Sequence, residues 1–128
     1  MVTHFRVARP SDDLQALLPF YRDGLGLELL ATFADHAGFD GLIFGRPEQG
    51  FQIEFTHKRG ERAGGAPTED HLLVFYTPDL GAWEAAVARM RAHGYEPVPA
   101  YNPYWDEYGA TFADPDGYRV VIRKPVGP

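Results

Sequence analysis

The sequence predicts an α+β fold made of two tandem βαβββ modules that form a cupped mixed sheet around a central cavity. The same order of elements, one strand, one helix and three strands, can be read twice along the 128 residues, and such repetition is typical of a duplicated unit. A charged stretch rich in Gly and Pro, residues 58–68, separates the two copies of this pattern and is predicted to be a linker. The hydrophobic fraction of 45% is sufficient for a packed core.

Module one, residues 1–60, begins with a predicted strand at residues 3–9, where polar and apolar side chains alternate. Ser11 or Asp12 is predicted to cap the helix that follows. Pro19 lies inside this helix and is expected to kink it or to mark an early start. Three strands are predicted after the helix, at residues 28–34, 41–44 and 51–57.

Module two, residues 68–125, repeats this order. A strand is predicted at residues 70–77, and a helix is predicted from Pro78 to His93 because apolar side chains recur there at helical spacing. Three further strands are predicted, at residues 95–98, 109–113 and 117–123. Residues 99–108, which contain four aromatic side chains, are predicted to form a loop.

Charge and composition exclude several classes of function. The net charge is −6 and the calculated pI is about 5.2, which argues against nucleic-acid binding because that needs a basic face. The chain has no cysteine, so disulfides, thiolate metal sites and cysteine nucleophiles are excluded. No signal peptide and no apolar run of membrane-spanning length are recognisable, and we expect a cytoplasmic protein.

Two motifs point to a known family. The stretch LLPFYRDGLGLELL resembles the first helix and following strand of the vicinal oxygen chelate superfamily, and FADPDGYRVVI resembles its last hairpin. This superfamily includes glyoxalase I, extradiol dioxygenases, and the bleomycin and fosfomycin resistance proteins. The resemblance covers nearly the whole chain and implies a single domain, residues 1–128, that binds a small molecule in the cavity between its modules.

The resemblance also implies where a metal would bind, because metal-dependent members take one ligand from the first and one from the last strand of each module. By motif, the four positions fall on Val2, Glu54, His71 and Val121. Valine cannot coordinate a metal, and catalytic zinc sites usually keep three protein ligands. We therefore expect no cofactor, although a divalent Zn, Ni, Mn or Fe ion held by His71 and Glu54 stays open.

His4 is a possible replacement for one missing ligand. Alternate side chains of a strand share a face, so His4 would lie one pleat repeat, about 6.5–7 Å, from Val2. A set of His4, Glu54 and His71 would suit Fe(II), Mn(II) or Zn(II). Without a metal, His71 and Glu54 are candidates for a general base. The alternatives are structural: an ion pair from Glu54 to an arginine, and a hydrogen-bonded His71.

Substrate-binding side chains are predicted on strand faces that look into the cavity and on the aromatic loop. Arginines there would suit an anionic or carboxylate-bearing ligand, and in glyoxalase-like members an arginine at the place of Arg6 can bind a substrate carboxylate. The alternative is that the arginines pair with acids or reach solvent. The aromatic loop could stack on a planar substrate, or pack on the sheet or on a dimer mate. The candidates are His4, Arg6, Gln52, Tyr104, Trp105, Arg119 and Arg123.

Three functions remain open at this point. The first is a metal-dependent lyase or dioxygenase of the glyoxalase type. The second is a metal-free binding protein of the bleomycin-resistance kind, which sequesters a drug. The third is a metal-free enzyme on the same fold. The expected partners are a small-molecule ligand and a second copy of the chain in a homodimer.

Overall fold

The chain divides into two compact units, with the boundary between Gly64 and Gly65. The computed structural model describes residues 1–126. The first unit holds a mixed sheet of four strands and the second a mixed sheet of three. This confirms the predicted α+β class and its two-module layout. No helix within residues 1–126 combines the length and the apolar character needed to cross a bilayer.

The sheet of the first unit has the strand order β1-β4-β3-β2. β1 pairs with β4 in parallel, and the other two pairings are antiparallel. Since β1 and β4 are parallel, the helix and two strands between them form the connection that a parallel pair requires. The strands are β1 (Phe5–Pro10), β2 (Glu28–His36), β3 (Phe39–Arg46) and β4 (Phe51–Lys58).

An aromatic core lies on one face of this sheet. Phe55 and Phe44 point into it and are fully buried. The ring of Tyr21 lies 4.8 Å from that of Phe55 and 5.8 Å from that of Phe44, centroid to centroid. Because side chains alternate along a strand, the residues between these core positions point to the opposite face.

The helix of the first unit changes its geometry at Pro19. Helix α1 (Leu14–Leu17) continues directly into a π-helical segment, Leu18–Gly24, with the proline in its first turn. Proline has no N–H to donate to the preceding turn. The expected disturbance at Pro19 is therefore present, as a widened turn.

The helix cap differs from the prediction. Asp13, not Ser11 or Asp12, is the N-cap, and its side chain accepts the N–H of Ala16 at 3.2 Å. Ser11 is fully buried, and its hydroxyl oxygen accepts the N–H of Asp13 at 3.2 Å. Three neighbouring residues here could each cap a helix, so composition alone did not select among them.

Asp12 instead anchors the segment that follows β4. Its two carboxylate oxygens accept the N–H groups of Ala63 and Gly64, each at 2.8 Å. These two backbone hydrogen bonds lower the pKa of the Asp12 carboxyl, with smaller contributions from the charges of Arg62 and His57. The end of the first unit is thus tied back to the residues that leave β1.

Replacing Asp12 with Ala is expected to release this segment, because two N–H groups lose their acceptor. Limited proteolysis should then cut within residues 58–68 faster than in the wild type, whereas Asp13→Ala should leave this rate nearly unchanged. The folded pKa of Asp12 lies below its ordinary value, so its stabilising contribution is present above that value, 3.8, and is lost as the pH falls through the lowered pKa. The amide resonances of Ala63 and Gly64 should titrate in that acidic range, and amides that stay unchanged there would contradict the anchor.

The second unit contains a three-stranded sheet of order β5-β7-β6. β5 pairs with β7 in parallel, as β1 does with β4 in the first unit. Asp79 caps the main helix by accepting the N–H of Ala82 at 2.8 Å. The elements are β5 (Leu72–Tyr76), α2 (Leu80–Ala92), α3 (Tyr104–Tyr108), β6 (Gly109–Ala113) and β7 (Arg119–Arg123).

One predicted strand of the second unit, residues 95–98, does not form. A single bridge remains, in which the N–H of Val98 donates to the carbonyl of Thr111 at 2.8 Å. Pro97 and Pro99 flank Val98, and proline cannot donate to a strand ladder. Pairing therefore stops after one residue.

The aromatic loop contains a short helix that the sequence analysis missed. Helix α3 begins after Pro103, and the side-chain oxygen of Asn102 accepts the N–H of Tyr104 at 3.1 Å. Asp106 and Glu107 lie in its first turn, where acidic side chains interact favourably with a helix N-terminus. A proline followed by two acidic residues was the sequence signal for this turn.

Candidate functional site

Polar side chains occupy the face of the first sheet that lies opposite the aromatic core. Ile53 and Phe55 of β4 are buried in the core, so Gln52 and Glu54 point the other way. Arg6 of β1 is the register partner of Gln52, and side chains at paired positions lie on the same face. The alternation of β4 thus brings together three predicted residues.

Arg6, Gln52 and Glu54 make direct contacts, and we call them the Arg6 patch. The Nε and Nη2 groups of Arg6 both donate to Oε1 of Gln52, at 2.8 and 2.6 Å. Nη1 of Arg6 lies 3.6 Å from Oε1 of Glu54. The guanidinium is held by its neighbours, yet 42% of the Arg6 side chain is exposed, against 19% for Glu54. The patch therefore presents a fixed cation to solvent, with a carboxylate beside it.

Val2 does not belong to this face, which corrects its assignment as a ligand position. It precedes β1, which begins at Phe5, and it is 92% exposed. The β1 side chain beside Glu54 is that of Arg6. His4 also lies before β1, at an exposed recess of about 340 Å³ that includes Gln52 in its lining.

The internal repeat identifies the matching positions in the second unit. Arg6 lies on β1, two residues before the residue that pairs with Glu54 of β4. Leu72 lies on β5, two residues before the residue that pairs with Val121 of β7. Leu72, not His71, therefore corresponds to Arg6, and Val121 corresponds to Glu54. Val121 is fully buried.

His71 lies just before β5 and is exposed. Its Nδ1 is 2.8 Å from the hydroxyl of Thr68, and its ring meets that of Tyr118 edge to face at 6.1 Å. Its backbone carbonyl accepts the N–H of Arg119. These contacts match the structural alternative for His71, while its predicted catalytic and metal-binding roles stay predictions.

These residues do not fit the metal ion that the superfamily implies. The four corresponding positions carry a guanidinium, one carboxylate and two aliphatic side chains, at Arg6, Glu54, Leu72 and Val121. Residues 1–126 contain no group of three or more His, Cys, Asp or Glu side chains placed to hold a metal. The set of His4, Glu54 and His71 thus gains no support from the geometry.

The two arginines of β7 are committed to contacts within their own unit. Arg119 forms an ion pair with Glu69 and donates to the carbonyl of Pro99 at 2.9 Å, which leaves 12% of its side chain exposed. Arg123 is 8% exposed and donates from Nη1 to the carbonyls of Lys124 and Pro125. Both were predicted to bind substrate, and both are far less exposed than Arg6.

Aromatic rings surround Arg123 instead. Its Cζ lies over the rings of Tyr76, Tyr104 and Tyr108, at 5.4, 5.9 and 5.1 Å from their centroids. Nη2 donates to the hydroxyl of Tyr104 at 3.0 Å. Trp105 meets the Tyr104 ring edge to face at 4.8 Å. Tyr76 was not predicted as a site residue, although its position as the β5 residue paired with Arg123 could have indicated it.

A larger recess, of about 640 Å³, lies beside the start of α1, but its charged groups are already paired. Asp12 accepts the N–H groups described above. Asp40 receives Nε of Arg59 at 3.1 Å and the N–H of Asp35 at 2.8 Å, and these contacts lower the pKa of Asp40. The Arg6 patch is the better candidate, because Arg6 faces one carboxylate at 3.6 Å, whereas Arg59 in the recess lies against two, at 2.9 and 3.5 Å.

Family models match both units. Residues 5–56 match the YycE-like N-terminal domain, and residues 70–124 match the YycE-like C-terminal domain. The chain is 38% identical over 122 residues to YycE of Bacillus subtilis (strain 168), an uncharacterised protein, and this match covers 95% of this chain and 88% of YycE.

Solved structures show the same fold. A crystal structure of Bacillus subtilis YycE, a protein of unknown function assigned provisionally to the glyoxalase/fosfomycin resistance proteins, is 37% identical with a TM-score of 0.86, covering 98% of this chain and 92% of that one. The trypanothione-dependent glyoxalase I of Leishmania major is 20% identical with a TM-score of 0.71, covering 93% and 84%. An antibiotic-binding protein from a Streptomyces species is 22% identical with a TM-score of 0.68, covering 98% and 97%.

Proposed function

Because this chain belongs to the YycE-like family of the vicinal oxygen chelate superfamily, we propose that it binds an anionic small molecule at the Arg6 patch without a metal ion. The observation that carries this proposal is the exposed guanidinium of Arg6, oriented by Gln52 and lying 3.6 Å from Glu54. A fixed positive charge stands where metal-dependent members of the superfamily would be expected to place a ligand beside the glutamate.

The chemistry of the patch defines the ligand class. A guanidinium has five N–H donors in a planar fork, and Gln52 uses two of them. The remaining donors suit a carboxylate, which accepts two parallel N–H bonds from arginine. Glu54 adds an acceptor next to this fork. The patch therefore matches a carboxylate that has a hydroxyl or amino group on the adjacent carbon.

A thermal-shift and calorimetric comparison of lactate and mandelate with their methyl esters tests this proposal. The acids should raise the melting temperature, because a ligand that binds only the folded state stabilises it. The esters, which lack the negative charge, should have little effect. No shift with any member of a wider panel of 2-hydroxy and 2-amino acids would contradict the proposal.

Substitution of Arg6 gives the residue-level prediction. Arg6→Gln should weaken binding of the best acid about tenfold or more, because a hydrogen bond to a charged group contributes about 1.5–3 kcal/mol and each 1.4 kcal/mol is a factor of ten. The affinity of Arg6→Lys for this acid should lie between those of the wild type and Arg6→Gln, since lysine keeps the positive charge but lacks the planar fork of N–H donors. Arg22→Gln is the matched control, because Arg22 is a similarly exposed arginine paired with its neighbour Asp23. Equal affinities in wild type and Arg6→Gln would exclude the Arg6 patch as the site.

Metal analysis separates this proposal from a metal-dependent lyase or dioxygenase. Purified protein should lose Mn, Fe, Ni and Zn on dialysis and still bind the acid with unchanged affinity. A near-stoichiometric metal that survives dialysis and is required for binding would contradict the proposal that the acid binds without a metal ion.

A further inference from the structure

Arg123 is a buried cation with no acidic partner among residues 1–126. Its side chain reaches neither Asp nor Glu within ion-pair distance in the part of the chain that the structure describes, and its buried Nε has no hydrogen-bond partner there. Taking a charge out of water is costly unless other groups compensate for it. The compensation here comes from two backbone carbonyls, one phenol oxygen and three ring faces.

Tyr76, Tyr104 and Tyr108 provide these ring faces, and we call them the tyrosine cluster. The Tyr104 and Tyr108 rings contact each other at 4.7 Å. Although Arg123 lies over all three rings, they remain open to solvent, with exposed fractions of 59% for Tyr76, 44% for Tyr104 and 38% for Tyr108. Each ring thus lies beside the cation and keeps part of its surface open to solvent.

The cation changes what these rings can bind. The face of an aromatic ring carries partial negative charge, which attracts cations. In the tyrosine cluster that attraction is already used by Arg123, whose guanidinium lies within 6 Å of the centre of every ring. A second cation stacked on the same rings would be repelled, whereas an electron-rich or anionic ring would be attracted.

The hydroxyl of Tyr104 adds a directional donor. Its oxygen accepts from Nη2 of Arg123 at 3.0 Å, and its own proton has no acceptor among the described residues. A phenol that accepts from a guanidinium is polarised toward donating its proton to a further acceptor. A carboxylate near this hydroxyl would receive a hydrogen bond supported by the charge of Arg123.

We propose that the tyrosine cluster is a binding site for planar aromatic carboxylates and discriminates against aromatic cations. This site goes beyond the Arg6 proposal, since it uses no residue of the first unit and stands if that proposal fails. The tyrosines supply stacking area, and Arg123 acts beneath them as a positioning residue that also sets the charge preference.

The test uses three probes of one shape in an Arg6→Gln background, so that binding at the Arg6 patch does not contribute. These are 1-naphthoate, 1-naphthalenemethanol and 1-naphthylmethylammonium, titrated against protein with ¹³C-labelled tyrosine. Naphthoate should shift the ring resonances of the tyrosine cluster and bind about fivefold or more tightly than the alcohol, with the ammonium probe weakest. Tightest binding by the ammonium probe, or shifts that avoid these tyrosines, would overturn the proposal.

Variants assign the effect to the cluster. Tyr76→Leu removes the most exposed of its rings and should weaken naphthoate binding about fivefold, whereas Tyr101→Leu, which removes an exposed tyrosine that makes no ring contact with Arg123, should not. Tyr104→Phe should weaken naphthoate and leave the ammonium probe unchanged. Arg123→Met should abolish the preference for the anion, and if that variant does not fold, the Tyr76 and Tyr104 variants decide the question.

A second copy of the chain could cover the tyrosine cluster in place of a small molecule, and analytical ultracentrifugation of the same variants tests this. If Tyr76→Leu breaks a dimer and leaves the affinity for naphthoate unchanged, the cluster is a contact between copies and the proposal is wrong.

Discussion

Phe55→Ala is expected to lower the free energy of unfolding of the first unit by about 3–5 kcal/mol, the range for truncating a buried phenylalanine. Phe55 is fully buried, its ring contacts those of Tyr21 and Phe44, and the guanidinium of Arg9 lies 5.1 Å from its centroid. The cavity left by the substitution would sit at the centre of these contacts.

Urea denaturation followed by tyrosine fluorescence and far-UV circular dichroism measures this loss. The matched control is Phe5→Ala, because Phe5 also lies on a strand of the same sheet but is 67% exposed. It should change the free energy of unfolding by less than about 0.5 kcal/mol. Similar losses for the two variants would mean that Phe55 does not occupy the core described for it.

Asp114→Ala is expected to cost the second unit about 2–3 kcal/mol, because it removes the acceptor of two backbone N–H groups at once. Asp114 is buried, and its Oδ1 accepts the N–H of Asp116 at 2.9 Å and that of Tyr118 at 3.0 Å. These bonds close the turn between β6 and β7, where Gly117 adopts a positive φ of 85°.

Asp114→Asn is the matched comparison, since an amide oxygen can still accept both N–H groups without the charge. It should retain more than half of the stability that Asp114→Ala loses. Hydrogen exchange at the amides of Asp116 and Tyr118 reports on the turn directly and should accelerate in Asp114→Ala. If the two variants are equally destabilised, the charge of Asp114, and not its role as acceptor, is what the turn needs.

Local patterns in the sequence predicted most of the fold. Gln52 and Glu54 were predicted site residues, and the alternation of β4 does place them on one face, opposite the buried Ile53 and Phe55, because the side-chain period of a strand is a local property. The strand predicted at residues 95–98 was wrong, although a local signal against it was present, since Pro97 and Pro99 limit what Val98 can pair with. The helix within residues 99–108 had a local signal in Pro103 that was not used.

The candidate site was predicted less completely because its geometry depends on pairing between distant residues. The place of Arg6 beside Glu54 follows from the register of β1 on β4, which joins residues 46 positions apart. The sequence analysis aligned the first strand by motif and therefore assigned Val2, not Arg6, to the position beside Glu54. Arg123 is buried because tyrosines from β5 and from the α3 segment converge on it, and no pattern within β7 indicates this.

The anchoring of Ala63 and Gly64 by Asp12 makes the chain after β4 a small closed loop with its tip near Gly60. Apart from its two chain neighbours, no described residue lies within 4 Å of the place where a Cβ atom would stand on Gly60. Lengthening an exposed loop between fixed ends costs little, about 0.6 kcal/mol for each doubling. We expect an epitope or a fluorescent reporter inserted at this tip to be exposed to solvent and to leave both sheets intact. The loop is thus a convenient place to label the protein without touching either proposed site.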